Sequence, residues 1–146
     1  FMPDRFESGT INTAAVIALG AGVEFVKSKG TEAVYNHEIR LCERFCEGAK
    51  RLEKIRLYNE ITPENHDLFS PVVSFNIEGL NSVEGADILS SHGFYMRGGL
   101  HCAPLAHKKI NTIDGGTIRF SPSVFNNEKE VSLLLRTLSD ISSKQT

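Results

Sequence analysis

No apolar run in this 146-residue chain approaches the ~20 residues that cross a bilayer, so the sequence offers no membrane partner. Lysine and arginine do not cluster either: 16 basic residues face 18 acidic ones, for a net charge of -2 with mixed signs. A nucleic-acid footprint would show a basic face or stripe. Cysteine is scarce, with 3 residues; an odd number fits a reducing compartment, taken here as cytoplasmic, better than a disulfide framework. The N-terminus lacks the charged-then-apolar layout of a signal peptide. Internal repeats and low-complexity tracts are absent. Gly115-Gly116 is too short a signal for a nucleotide-binding loop and reads as a tight turn.

What is there, 40% hydrophobic and 23% charged, has the makeup of one globular domain with a sizeable core. Residues Thr13 to Val26 are almost uniformly apolar, interrupted by Gly20 and Gly22. A helix apolar on all sides is a buried one, and its glycines suit close approach of another backbone. Thr10, Asn12 and Thr13 stand at its start as capping residues. A helix start also draws anions, so Thr10 is either part of a plain cap or a phosphate contact. Gly30 closes this helix and Thr31 caps the next. From Glu32 to Leu52, the side chains Val34, Leu41, Phe45 and Leu52 share one stripe at helical periodicity. Cys42 and Cys46 lie four apart on that helix. A zinc site needs about four ligands and only His37 is near, so both read as small packing residues.

Ile55 to Tyr58 alternates as a short strand, and Ile61 to Ser70 is a polar loop. Val73, Phe75 and Ile77 alternate with polar residues, the pattern of a half-buried strand. Ser82 to His92 reads as a short helix ended by Gly93, and Phe94 to Arg97 as a strand entering a glycine loop. With Phe94 and Met96 toward the core, Arg97 faces away. Ile118 to Ser121 repeats the arrangement with Arg119 outward. Period-two geometry thus projects two arginines from the face opposite the hydrophobic side. Asn127 and Glu130 form a capping box. Val131, Leu134, Leu135 and Leu138 then make an amphipathic closing helix, frayed from Ser142. The interspersed elements predict an α/β protein of the α+β type, with a small mixed or antiparallel sheet and helices on one face.

The densest chemistry lies in Met96-Arg97-Gly98-Gly99-Leu100-His101-Cys102-Ala103-Pro104. A thiol becomes a good nucleophile beside positive groups, and Arg97 and His101 can supply them. Gly98 and Gly99 let the loop turn sharply and present its side chains. Alone, the loop is equally a reactive site or a surface turn around a buried, inert cysteine. Two further segments bear on it: Arg5-Phe6-Glu7-Ser8-Gly9-Thr10-Ile11-Asn12-Thr13 and Gly116-Thr117-Ile118-Arg119-Phe120-Ser121-Pro122. In this order the three resemble the C-terminal part of the class V aminotransferase family of pyridoxal-phosphate enzymes. Within it they are most similar to the cysteine desulfurase and selenocysteine lyase branch, whose loop reads Arg-x-Gly-x-His-Cys-Ala. The likeness runs from Arg5 to about Leu138.

The resemblance implies the C-terminal domain of a fold-type I pyridoxal-phosphate enzyme: residues 1–30 close the large cofactor domain, and residues 31–146 form the small domain carrying the cysteine loop. It implies that Cys102 attacks the sulfur of cofactor-bound L-cysteine and leaves as a persulfide, with L-alanine as product. Arg119 grips the substrate carboxylate, Arg97 keeps the loop in register, and Thr10 reaches the cofactor phosphate of the partner in a homodimer. A sulfur-acceptor protein is a further implied partner. His101 either tunes the thiol or moves a proton, or is structural. Many relatives carry a second histidine where Leu100 stands.

The cofactor lysine of a Ser-x-His-Lys pattern is missing. Ala106-His107-Lys108 matches it only superficially and reads as a solvated His-Lys pair. The chain is therefore expected to be a fragment, inactive alone, of a longer enzyme. The competing readings are another class V enzyme, such as a selenocysteine lyase or aminotransferase, and a stand-alone sulfur-carrying or protein-binding module.

Overall fold

The computed structural model describes residues 1–6 and 9–143, and the chain divides into two compact units, Phe1–Val34 and Tyr35–Thr146. Glu7 and Ser8 of the opening motif, and residues 144–146 of the tail, lie outside the described residues.

In the first unit, α1 spans Thr13–Lys29. Asn12 is its cap, accepting the Ala15 amide on its side-chain oxygen at 3.0 Å. The helix outruns the expected Val26 and ends with Lys27 and Lys29, cations suited to a helix C-terminus. Gly30, at φ 85, donates to the Val26 carbonyl. Its own carbonyl then accepts the Val34 amide at 3.1 Å and starts α2, Thr31–Ala49. Thr31 is thus the first residue of α2 and not its cap. The sequence marks α1 as a helix buried in the longer enzyme and exposed in a fragment of it; none of its residues is buried here, and Val16, Ile17 and Leu19 are all more than half exposed. Its apolar residues lie all round the axis, and a helix of that kind needs cover on every side. Among the described residues nothing comes within 4 Å of a Cβ placed on Gly20 or Gly22, so no backbone approaches there.

The second unit is a four-stranded antiparallel sheet in the order β1-β2-β4-β3, with β1 Ile55–Leu57, β2 Val73–Ile77, β3 Arg97–Gly99 and β4 Thr117–Phe120. Val73, Phe75 and Ile77 of β2 and Ile118 and Phe120 of β4 bury one face. Three helices cover it: α2, α3 (Ser82–Ser91) and α5 (Glu128–Ser143). Phe45 of α2 stacks on Phe120 at 4.4 Å between ring centroids and tilts against Phe75 at 5.2 Å. The buried stripe of α2 is Ile39, Leu41, Cys42, Phe45, Cys46 and Ala49, wider than its large apolar residues suggest because both cysteines fill it. Burial pushes the Cys42 thiol up to about 12 and raises that of Cys46, so both stay protonated packing groups. The capping box of α5 is formed reciprocally: Glu130 accepts the Asn127 amide at 2.9 Å and Asn127 accepts the Glu130 amide at 3.2 Å. The helix stays regular through Ser143, beyond the expected fraying point at Ser142.

The strand expected at Phe94–Arg97 begins at Arg97 and runs through both glycines, while Phe94 and Met96 still pack on the core. Gly98 serves closeness, while Gly99 holds a positive φ of 117 with nothing among the described residues within 4 Å of a Cβ placed on it. A Cβ on Gly98 would run into the Ser82 backbone at the start of α3, and the tight helix–strand contact depends on its absence. Gly98→Ala should therefore lower the unfolding free energy by about 1–3 kcal/mol through overpacking, read from urea denaturation. Gly115→Ala, where nothing lies within 4 Å, should leave the midpoint nearly unchanged.

Candidate active site

Antiparallel pairing of β3 with β4 sets Arg97 directly opposite Arg119. Both project from the face opposite Ile118 and Phe120, Arg97 exposed and Arg119 half-buried. Like charges directly opposite one another on a sheet repel, and among the described residues no carboxylate pairs with either guanidinium. Two uncompensated planar cations at one register position form a ready receptor for a carboxylate.

The chain between these strands, residues 100–116, is a loop whose ends are held together by the Gly99–Thr117 pair. Its turn is made by two consecutive non-glycine residues in left-handed conformation, His101 at φ 50 and Cys102 at φ 59. The Cys102 thiol is free and exposed. His101 points the other way: its Nε2 lies 2.8 Å from the Thr117 carbonyl oxygen. A carbonyl only accepts, so Nε2 carries the proton and Nδ1 keeps its lone pair. That Nδ1 is buried with no partner, as is the Thr117 hydroxyl.

After Ala103, whose amide donates to the Leu100 carbonyl at 2.9 Å, Pro104 opens the short helix α4, Pro104–Lys109. Proline suits a first helical position because its missing N–H is not needed there. The helix carries His107, which is 4% exposed and bonded through Nδ1 to the Thr112 hydroxyl at 2.7 Å. Thr112 in turn donates its amide to the His107 carbonyl and accepts the Gly116 amide at 2.8 Å. The His101 and His107 rings stand 6.1 Å apart. The sequence predicts a solvated His107-Lys108 pair; Lys108 is exposed, but His107 is buried. The available signal was Thr112, a hydroxyl one helical turn and a bend beyond it.

Burial is the main cause holding His101 below its ordinary value, and the Arg119, Arg97 and His107 charges add to it against the Thr117 hydrogen bond. The imidazole is therefore neutral at neutral pH. Cys102, His101, Arg97 and Arg119 are gathered on one loop and two strands of the second unit. Thr10 belongs to the first unit, exposed and two residues ahead of the Asn12 cap.

The model of the aminotransferase class-V family matches residues 2–134. The chain is 35% identical to a probable cysteine desulfurase of Pyrococcus abyssi, over 95% of this chain and 33% of that protein. With a probable cysteine desulfurase of Synechocystis it shares 31% identity, over 94% of this chain and 32% of the relative. The apo structure of a cysteine desulfurase from Thermococcus onnurineus superposes with a TM-score of 0.84 at 34% identity, covering 97% of this chain and 34% of that one. A cystine C–S lyase solved with its product cysteine persulfide superposes at 0.72 with 21% identity, a likeness of fold alone. The chain spans about a third of the length of the curated relatives it matches.

Pyridoxal phosphate fits this chain on its substrate side. An outward thiol and two unpaired guanidiniums suit an amino acid held by that group, while no described lysine is buried, as a lysine tuned for imine chemistry must be.

Because the folded state holds His101 below its ordinary value of 6.5, the unfolded loop binds more protons over that interval. The stabilisation is complete above the ordinary value and lost as pH falls through the folded one. Protection factors of the amides within residues 100–116, taken relative to the intrinsic exchange rate at each pH, should fall on acidification from pH 7 toward 5, a range spanning the ordinary histidine value of about 6.5. His101→Gln should flatten that local dependence.

Proposed function

The chain belongs to the aminotransferase class-V family, and on that premise we propose that it is part of a pyridoxal-phosphate-dependent cysteine desulfurase in which Cys102 takes the sulfur of L-cysteine. The observation that carries this reading is the exposed Cys102 thiol on a loop tied to the strand of Arg119, itself paired with Arg97. Likeness to cysteine desulfurases over most of the chain supports it.

Arg119 holds the substrate α-carboxylate by two parallel charge-assisted bonds, and Arg97 opposite it adds positive charge and keeps the loop in register. The bound cofactor supplies an electron sink for the pair left on carbon. The Cys102 thiolate forms a bond to the substrate sulfur as the substrate's Cβ–S bond breaks. Sulfur stays on Cys102 as a persulfide, and the carbon skeleton takes up a proton from solvent and leaves as L-alanine. Being exposed, that persulfide is within reach of a sulfur-acceptor protein. Thr10 contacts the cofactor phosphate of the partner subunit in a homodimer. Residues 1–30 close the large cofactor domain, residues 31–146 form the small domain, and the cofactor lysine belongs to the large one. By itself the chain is inactive.

Incubation of the whole protein with L-cysteine should add the mass of one sulfur to the Cys102 peptide, and reductant should remove it. The same mass on Cys42 or Cys46 would overturn the assignment. Arg119→Lys keeps the charge but loses the planar fork, so KM for cysteine should rise about tenfold or more.

A further inference from the structure

Two features of the loop between β3 and β4 neither bind substrate nor move electrons: the bond from His101 to Thr117, and the buried imidazole of His107. Cys102 directly follows His101, and Arg119 lies two residues beyond Thr117. The 2.8 Å Nε2–H···O bond therefore joins the thiol-bearing turn to the strand that carries the carboxylate clamp. Left-handed backbone is unfavourable for a non-glycine residue, and His101 and Cys102 both adopt it. Such a turn persists only where its surroundings over-determine it. Here the constraint is the His101 ring, bonded at one nitrogen and buried at the other. Behind it stands His107, locked to Thr112, whose carbonyl holds the amide of Gly116 next to Thr117.

We propose that His101 is a positioning residue: its bond to the Thr117 carbonyl sets the spacing between the Cys102 thiol and the Arg119 guanidinium. The inference rests on Cys102 being the nucleophile. The one ring nitrogen free to take a proton, Nδ1, is buried and touches no donor, whereas the thiol is exposed. His101 thus acts on the thiol through the backbone and not as its base. The nucleophile and the carboxylate clamp need a fixed separation, since about 1 Å of misplacement can cost a hundredfold in rate.

The test compares His101→Gln, His101→Asn and His101→Ala in the whole, cofactor-loaded protein. The glutamine amide nitrogen reaches about as far as imidazole Nε2 and can donate the same bond, yet it cannot titrate. Asparagine falls one methylene short. Glutamine should keep kcat for cysteine within about threefold with an unaltered pH profile, while asparagine and alanine should lose about a hundredfold in kcat with KM little changed. A second readout needs neither cofactor nor substrate: the pH profile for alkylation of Cys102 by iodoacetamide should keep its shape in His101→Gln. Glutamine as damaging as alanine, or a limb of either profile lost with glutamine, would overturn the proposal in favour of a proton-transfer role. Full desulfuration by Cys102→Ala would sink the nucleophile assignment instead. In that case amide protection of residues 100–116, kept by glutamine and lost with alanine, still reports on the strut.

Discussion

The pairing of β3 with β4 is the constraint on which the second unit depends. It puts Arg97 across from Arg119, and it closes the loop that carries Cys102 by joining Gly99 to Thr117. It also brings β3 against the start of α3, where only a residue without a side chain fits at position 98. None of these demands is separable. A one-residue slip would send Arg119 into the aromatic core around Phe45 and expose Ile118 and Phe120. The apolar face of the sheet therefore enforces the register, and the register brings the two cations together against their own repulsion.

Much of this was legible in the sequence. Alternation in β2 and β4 sorted Phe75 and Ile118 from Arg119, because a strand with one buried face must alternate. The Asn127–Glu130 box marked the start of α5 because free helix amides need acceptors. Cys42 and Cys46 read as packing residues, and their burial raises both thiols. In each case the signal was local and period-based.

What was not legible depends on contacts far along the chain. Gly98 and Gly99 look like turn residues in isolation; Gly98 is used instead for the approach of Ser82, sixteen positions upstream. His107 looks solvated beside Lys108 and Lys109, yet α4 turns it inward onto Thr112. The apolar sequence of α1 correctly marks a helix, but apolarity says only that cover is needed and not where it comes from. Sequence patterns record what a segment demands; partners distant in the chain decide how the demand is met.

Strain is distributed unevenly over the candidate site, and its placement is informative. Glycine relieves crowding at positions 98 and 116, where a side chain would strike the backbone of a neighbouring segment. At positions 101 and 102, where left-handed backbone would also suit glycine, the chain places a histidine and a cysteine. A glycine there would spare the conformational cost but leave the turn free to swing and provide no thiol. The imidazole replaces that freedom with a fixed hydrogen bond to Thr117. The stability given up in the turn and the order gained from the ring thus belong to one arrangement: a reactive group held outward by a neighbour that faces inward.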